Sequence, residues 1–245
     1  MPYAQENIKP YSRDGEKREQ VEEMFDHIAP TYDSLNHLMS LGIDRGWRRK
    51  SIDALKPHHP QHILDIATGT GDFALMAAKR LGPKEIIGAD ISEGMMEVGR
   101  KKVAQAGMQD IIAFQAEDCT RLSFPDARFD AVTIAFGARN FQDLDAALAE
   151  TFRVLTAGGH LLLLELCAPP RFPMKQLFWL YSRIVMPLVG RIISHDSTAY
   201  TYLPSSMQAF PQAEVMEGIL RKAGYASVEW QRFTMGICTM YLTQK

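Results

Sequence analysis

The chain reads HILDIATGTGDFALMAAKRLGPKEIIGAD from His62 to Asp90. A short apolar run breaks at a glycine turn, continues with the periodicity of an amphipathic helix, and returns to a second apolar run. This order predicts a strand, a helix and a second strand, the βαβ unit of a doubly wound sheet. Because such sheets bind ligands outside the carboxyl ends of their strands, we expect a nucleotide site at the glycine turn.

The charge around this turn bears on the ligand. The turn fits the pattern G-x-G-x-x-A, with Gly69 and Gly71 as its glycines, but that pattern alone indicates only a nucleotide. Asp65 and Asp72 flank the turn, where a carboxylate would repel a pyrophosphate. S-adenosylmethionine carries a sulfonium and an ammonium group, and its ribose hydroxyls suit Asp90, about 20 residues further on. The turn therefore favours S-adenosylmethionine over NAD, the alternative being that Asp72 is only a helix N-cap.

The composition is that of an ordinary globular protein. The chain has 245 residues, of which 46% are hydrophobic and 23% are charged, with a formal net charge of -2. This length predicts one domain with additions rather than two full domains. Because the net charge indicates no basic face, nucleic acid is not an expected partner.

The cysteines and the apolar stretches bear on the compartment. Cys119, Cys167 and Cys238 form neither a metal-binding spacing nor a disulfide framework, which favours a reducing compartment and no metal site. The first residues lack the basic and apolar segments of a signal peptide. The most apolar stretches are too short, or too interrupted by charge and proline, to span a bilayer. We therefore expect a cytoplasmic protein.

We divide the chain into four parts of a single domain, residues 1–245. Residues 1–60 are a helical extension that begins with a polar, frayed segment, and residues 61–168 are the cofactor-binding core. Residues 169–205 are rich in Met, Phe, Trp and Ile, which indicates either plain core or a lid over an apolar pocket that touches a membrane surface. Residues 206–245 predict a helix and a terminal hairpin.

Polar residues follow the third and fourth predicted strands. Asp118, after the third strand, either accepts a hydrogen bond from an adenine amino group or is a simple turn acid, and Cys119 beside it offers a backbone contact. Arg139 and Asn140, after the fourth strand, either orient a ligand or are ordinary surface residues. Tyr32, after the first predicted helix, either packs at the edge of the domain or lines the site.

Several blocks between Val21 and Lys245 match one known family. They are Phe25-Asp26-x-x-Ala29-x-x-Tyr32-Asp33, Leu64-Asp65, Gly69-Thr70-Gly71-Asp72, Ala89-Asp90-Ile91, Phe129-Asp130, Phe136-Gly137-x-Arg139-Asn140, Arg153-Val154-Leu155, Tyr200-x-Tyr202-Leu203 and Phe210-Pro211. In these blocks the chain resembles the bacterial demethylmenaquinone methyltransferases, which include the bifunctional ubiquinone and menaquinone C-methyltransferases. The set is much more specific than the glycine turn alone, and Phe136-Gly137-x-Arg139-Asn140 together with Tyr200-x-Tyr202-Leu203 points to quinol methylation.

The resemblance implies an α/β fold, the Rossmann-like sheet of seven strands found in class I S-adenosylmethionine-dependent methyltransferases. N-terminal helices and a helical insertion after strand 5 complete this fold. The implied cofactor is S-adenosylmethionine, with contacts at Gly69, Thr70, Gly71, Asp90, Asp118 and Cys119. The implied catalytic residues, which hold or polarise a quinol oxygen, are Arg139, Asn140 and Tyr32, with Asp196 and Tyr200 as secondary candidates.

Three positions depart from the family's pattern. Thr68 stands where glycine is usual, Asp118-Cys119 stands where Asn-Ala is common, and Asp44 replaces a frequent histidine. The first two change side chains near the cofactor but leave the backbone route open.

The implied reaction is C-methylation of demethylmenaquinol, a prenylated naphthoquinol, to menaquinol in the last step of menaquinone (vitamin K2) biosynthesis. Because arginine stays charged, we expect Arg139 to stabilise the phenolate of the quinol rather than take its proton. Three alternatives stay open: a bifunctional enzyme that also methylates 2-methoxy-6-polyprenyl-1,4-benzoquinol, a nicotinamide-dependent oxidoreductase, and a non-catalytic carrier of lipid quinones that keeps the nucleotide fold. Peripheral contact with the inner face of the membrane and assembly as a homodimer are also left open.

Overall fold

One sheet of seven strands forms the centre of the protein. The computed structural model describes residues 2–11, 13–185 and 198–245. The strands are β1 (His62–Ile66), β2 (Glu85–Asp90), β3 (Ile112–Ala116), β4 (Phe129–Ala135), β5 (Leu155–Leu166), β6 (Ser227–Phe233) and β7 (Cys238–Gln244). Their order is β3-β2-β1-β4-β5-β7-β6, and β7 runs antiparallel to both of its neighbours. The predicted α/β fold, with an antiparallel strand from the terminal hairpin, is confirmed.

Helices pack on this sheet from both sides. The α-helices of the described residues are α1 (Lys17–Ile28), α2 (Tyr32–Ser40), α3 (Ile43–Leu55), α4 (Asp72–Leu81), α5 (Glu93–Gln105), α6 (Leu144–Val154), α7 (Met174–Leu180), α8 (Thr198–Ala209) and α9 (Glu214–Lys222). Alternate residues of β5 point to opposite faces: Leu161 and Leu163 join one buried cluster, and Leu162 and Leu164 join another. A strand that is apolar on both faces is what a sheet covered on both sides requires.

Short-range signals set several helix ends. The hydroxyl of Ser92 accepts a hydrogen bond from the main-chain N–H of Met95 at the start of α5. The carboxylate of Asp143 does the same for Ala146 at the start of α6, at 2.9 Å. These caps satisfy donors that lack partners in the first turn of a helix.

Two predicted boundaries are wrong. The apolar run 160–166 predicts a strand that begins at His160, but strand β5 begins at Leu155 because Leu155 pairs with Phe129 across the sheet. The sequence also predicts a helix over 210–223, but this helix begins at Glu214. Phe210 precedes a proline, and the residue before proline is disfavoured in helical conformation. The insertion contributes α7, a π-helical turn over Tyr181–Val185, and the start of α8.

Candidate active site

A cavity of about 510 Å³ lies outside the carboxyl ends of strands β1 to β4. We call it the cofactor cavity. It opens where the strand order reverses between β1 and β4, the place where sheets of this kind bind ligands. Four of the predicted cofactor residues line it: Gly69, Asp90, Asp118 and Cys119.

Asp90 is held in place by the main chain. Its carboxylate accepts hydrogen bonds from the N–H groups of Gly69, at 2.8 Å, and Ser92, at 2.9 Å. Burial raises the pKa of Asp90, and these two donors oppose the rise. Since an ionised carboxylate can accept about four hydrogen bonds, Asp90 keeps capacity for the donors of a ligand.

Asp118 is held by its own loop and by the N-terminal extension. The N–H and hydroxyl of Thr120 donate to one carboxylate oxygen, and Nη1 of Arg18 donates to the other at 3.0 Å. Burial acts against ionisation, but Thr120 and Arg18 hold the pKa of Asp118 below its usual value. The pKa of the neighbouring Cys119 thiol is raised by burial. The cavity therefore receives a carboxylate and a neutral thiol here, and contact of either with adenine stays a prediction.

Thr70 and Gly71 support the turn from outside the cofactor cavity, whose described lining includes neither. The hydroxyl of Thr70 donates to Asp33 at 2.6 Å, and Nζ of Lys102 donates to Asp33 at 2.8 Å. Gly71 has a φ of +74°, and a Cβ there would lie 2.8 Å from the ring of Phe114. The Thr70–Asp33 bond joins the glycine turn to α2, and a direct cofactor contact at either residue stays a prediction.

The acids that flank the turn, Asp65 and Asp72, do not line the cofactor cavity, whereas the carboxylates of Asp90 and Asp118 do. Asp72 forms an ion pair with Lys102 of α5. Asp65 is buried and accepts hydrogen bonds from the hydroxyls of Thr68, at 2.7 Å, and Thr133, at 2.6 Å. Burial raises the pKa of Asp65 to about 6, against the effect of these hydrogen bonds. Thr68, a departure from the family's glycine, therefore has a structural partner.

A second cavity, of about 300 Å³, lies beside the first. We call it the apolar cavity. Phe25, Tyr32 and Phe136 line both cavities, and the rings of Phe25 and Tyr32 meet edge to face with centroids 5.9 Å apart. Burial raises the pKa of Tyr32, against the nearby charge of Arg139. Most of the other lining residues are apolar: Met24, Ile28, Met39, Leu41, Ile43, Trp47, Leu166, Met174, Leu177, Phe178, Leu203, Met207 and Ile237.

Arg139 and Asn140 lie on a short 3-10 turn between the two cavities. Arg139 lines the apolar cavity and Asn140 lines the cofactor cavity. Before this turn, Gly137 is needed because a Cβ there would lie 2.4 Å from the Cβ of Ala67. The structure thus brings the three predicted catalytic residues, these two and Tyr32, to the boundary of the cavities. Of the secondary candidates, Asp196 lies outside the described residues, and the side chain of Tyr200 is likewise not described.

Sequence reasoning missed Glu165, the partner of Arg139. Its carboxylate accepts from Nη1 of Arg139 at 2.8 Å and from the main-chain N–H of Arg139 at 3.0 Å. Burial acts to lower the pKa of Arg139, but the charge of Glu165 raises it, so the guanidinium stays protonated. The signal was one acid inside an otherwise apolar strand, because a charge can be buried only with a partner.

Lys17 is a second buried charge that sequence reasoning missed. Its Nζ donates to the carbonyl oxygens of Gln5, at 2.6 Å, Arg139, at 3.0 Å, and Phe141, at 3.2 Å. Burial lowers the pKa of Lys17 to about 7. The charge-rich start of the chain suggested a frayed segment, and that expectation is wrong at Lys17. This lysine ties α1 to the turn that carries Arg139.

Three polar atoms at the site have no hydrogen-bond partner among the residues that the structure describes. They are Nε of Arg139, the hydroxyl of Tyr202 and Oδ1 of Asn140. Each such atom costs about 1–3 kcal/mol when it is buried unpaired. The unpaired donors of Arg139 and Tyr202 belong to residues that line the apolar cavity, and the unpaired acceptor of Asn140 belongs to the lining of the cofactor cavity. Ligands of complementary polarity would satisfy them.

Asp44, the third departure from the family's pattern, lies in the wall of the apolar cavity. It accepts hydrogen bonds from the hydroxyl of Ser40 at 2.7 Å and from Nε of Arg48 at 3.3 Å. The guanidinium of Arg48 in turn lies over the ring of Phe136, 4.8 Å from its centroid. Asp44 therefore orients an arginine that supports one of the aromatic side chains between the cavities.

Comparison with known proteins agrees with the geometry. A solved S-adenosylmethionine-dependent methyltransferase from Thermotoga maritima, described as a possible histamine N-methyltransferase, superposes with a TM-score of 0.63 at 18% identity, covering 91% of this chain and 99% of that chain. The sheet and its cavity thus define the fold of the class I methyltransferases. The chain belongs to the ubiE/COQ5 methyltransferase family, whose model matches residues 13–245.

Two relatives of this chain are named for methylation in quinone biosynthesis. A demethylmenaquinone methyltransferase of Bacteroides fragilis is 59% identical over 245 residues, which is 100% of both chains. A ubiquinone/menaquinone biosynthesis C-methyltransferase of Geobacter sulfurreducens is 40% identical over 94% of this chain and 90% of that protein. The predicted family is confirmed, and the alternative of a nicotinamide-dependent oxidoreductase has no support.

Proposed function

We propose that the protein transfers a methyl group from S-adenosylmethionine to a ring carbon of demethylmenaquinol, which yields menaquinol. The observation that carries the proposal is the meeting of two unlike cavities at Phe25, Tyr32 and Phe136. One cavity presents carboxylates, and the other is apolar and contains a buried cation. The name of the relative that is 59% identical agrees with this assignment.

S-adenosylmethionine fits the acceptors of the cofactor cavity. Its ribose hydroxyls and adenine amino group are donors, and its ammonium and sulfonium groups are positive, so the carboxylates of Asp90 and Asp118 suit it. The unpaired Oδ1 of Asn140 adds a further acceptor in the same lining. When bound, the cofactor supplies an electrophilic methyl group.

The residues of the apolar cavity prepare the quinol. Loss of a phenolic proton makes the neighbouring ring carbon electron-rich, and a positive side chain beside the oxygen stabilises the resulting phenolate. Arg139 has that charge, and Glu165 keeps it protonated and fixes its position. The surrounding apolar side chains exclude water, which strengthens the interaction between the guanidinium and the phenolate.

The direct test is methyl transfer to a reduced substrate. The purified protein would be incubated without oxygen with S-adenosylmethionine and chemically reduced demethylmenaquinone that has a short prenyl tail. We expect a product that is heavier by one methylene and methylated on the ring, as determined by mass spectrometry. The oxidised quinone is the matched control and should give no product, because its ring is not electron-rich. Absence of product from the reduced substrate would refute the proposal.

A broader activity on 2-methoxy-6-polyprenyl-1,4-benzoquinol is the second candidate. It is favoured by the relative that is 40% identical and whose name includes both pathways. The relative that is 59% identical is named for the naphthoquinone pathway alone, so we expect the higher kcat/KM for the naphthoquinol. The same assay with the reduced benzoquinol distinguishes the two activities.

We also propose that residues 171–185, which include α7 and the turn after it, lie on the surface of an anionic membrane. No helix in the described part of the chain is long and apolar enough to cross a bilayer. The segment nevertheless exposes large apolar side chains: Phe172, Leu177, Trp179, Leu180 and Ile184. Its charged residues are the cations Arg171, Lys175 and Arg183. Apolar groups mixed with cations suit an anionic lipid surface.

This surface is continuous with the apolar cavity, because Leu177 is exposed and also lines that cavity. A prenyl tail could therefore stay in the bilayer while its ring enters the site. Sedimentation with phosphatidylglycerol vesicles tests the proposal. The double variant Trp179→Ser/Leu180→Ser should bind at least about tenfold more weakly, since each side chain contributes roughly 1.5–3 kcal/mol when buried. Val215→Ser, which changes an exposed apolar residue of α9, is the control and should bind normally.

If the double variant binds the vesicles as tightly as the wild type, this segment is not the membrane contact.

Assembly as a homodimer stays a prediction.

A further inference from the structure

We propose that Tyr202 is a second hydrogen-bond donor to the substrate, so that its hydroxyl and Nε of Arg139 together bind the quinol oxygen next to the methylated carbon. The proposal rests on the function proposed above and names a group that acts at the same site. Arg139 alone would place a charge beside this oxygen. Two donors would also fix the position of the oxygen.

Tyr202 lies in α8, beside the apolar cavity. Its side chain is 5% exposed and lines the apolar cavity. Its hydroxyl has no hydrogen-bond partner in the described parts of the chain. A buried hydroxyl nearly always has a partner, so a bound ligand is the partner that this position calls for.

Arg139 lines the same cavity as Tyr202. Its charge is one of the influences on the ionisation of the Tyr202 phenol. Nε of Arg139 is also buried and unpartnered within the described structure, while Nη1 is occupied by Glu165. Two unpaired donors that share one apolar cavity are complementary to a single oxygen with two lone pairs.

Tyr181 also lines the apolar cavity, but its hydroxyl has a hydrogen-bond partner within the protein. The hydroxyl of Tyr181 donates to the carbonyl oxygen of Met39 at 2.8 Å. Tyr181 therefore needs no ligand for its hydrogen bond, in contrast to Tyr202.

Tyr202 acts as a donor and not as a base. Burial raises its pKa, although the charge of Arg139 opposes the rise. The phenol therefore stays protonated near neutral pH and can donate to an oxygen that gains negative charge. Since such a hydrogen bond strengthens as the charge develops, its loss should lower kcat more than it raises KM.

The variant Tyr202→Phe tests this role because it removes the hydroxyl and keeps the ring. We expect kcat with the reduced naphthoquinol to fall by about 10- to 100-fold, somewhat less than the loss of a typical oxyanion donor. The Kd for S-adenosylmethionine should not change. The Tm should stay equal or rise, because an unpaired buried hydroxyl has been removed.

Tyr225→Phe is the matched control. Tyr225 is buried in the core, and its hydroxyl is hydrogen-bonded to that of Thr151 at 2.9 Å. In this variant the Tm should fall and kcat should stay at the wild-type value, the opposite of what we expect for Tyr202→Phe.

A Tyr202→Phe protein with the kcat and KM of the wild type would overturn the proposal while leaving the proposed function intact. A fall in Tm without a fall in kcat would also overturn it, since Tyr202 would then be a structural residue. If the wild-type protein itself does not methylate the naphthoquinol, the proposed function fails and the role of Tyr202 fails with it.

Discussion

The two cavities share three aromatic side chains, yet their unpaired buried hydrogen-bonding groups are opposite in kind. The cofactor cavity offers acceptors, the carboxylates of Asp90 and Asp118 and the amide oxygen of Asn140. The apolar cavity offers donors, Nε of Arg139 and the hydroxyl of Tyr202, in a wall that is otherwise largely hydrophobic. A positively charged methyl donor would thus bind in the cofactor cavity, and an electron-rich quinol would bind in the apolar cavity. The buried cation should matter for turnover, and the carboxylates for cofactor affinity.

Removal of the buried cation should have the largest effect. Arg139→Ala should lower kcat by about 100- to 1,000-fold, because a charge positioned beside a developing oxyanion contributes roughly 3–4 kcal/mol. The Kd for S-adenosylmethionine, measured by calorimetry, should stay close to that of the wild type. Equal turnover would remove Arg139 from the mechanism.

This substitution also leaves Glu165 buried without its cation, which destabilises a protein by about 3–5 kcal/mol. The double variant Arg139→Ala/Glu165→Gln separates the two effects. Its Tm should recover toward the wild-type value, whereas its kcat should stay low. Recovery of kcat together with Tm would mean that Arg139 serves only the fold.

A smaller effect is expected on the other side of the comparison. Asp90→Asn should weaken the binding of S-adenosylmethionine by about 10- to 100-fold, since a hydrogen bond to a charged group contributes roughly 1.5–3 kcal/mol. The KM for the quinol should change little. Asp110→Asn, an exposed acid after α5, is the control and should bind the cofactor normally. Unchanged affinity in Asp90→Asn would contradict the assignment of the acceptor-rich cavity to the cofactor.

The smallest effect is expected on the pH dependence of stability, through Lys17, which binds the turn between the cavities. Lys17 has a pKa of about 7 in the folded protein, against about 10.4 in an unfolded chain. Between these values the unfolded chain binds more protons, so the free energy of unfolding rises with pH, by up to about 1.4 kcal/mol per unit. Relative to Lys17→Met, the wild type should gain stability from pH 7 to pH 9 in urea titrations. Parallel pH profiles of the two proteins would show that Lys17 does not titrate in this range.

The amino-acid sequence alone determined the β1–α4–β2 unit and the terminal hairpin. These features depend on neighbours a few residues apart, so periodicity and glycine residues predict them. Resemblance to a family added Arg139, Asn140 and Tyr32, which the structure places at the boundary of the two cavities.

Only the tertiary structure decided which charges pair. Glu165 pairs with Arg139 from 26 residues away along the chain. Lys17, itself a cation, binds the main-chain carbonyl oxygen of Arg139 from 122 residues away. Lys102 of α5 likewise pairs with Asp72 of α4, a contact that sequence spacing does not predict. No sequence period encodes such pairs, because their free energy depends on burial and on which strand ends and helices meet. The charged residues of the site can thus be read from the sequence, but the tertiary structure determines which of them line the cavities.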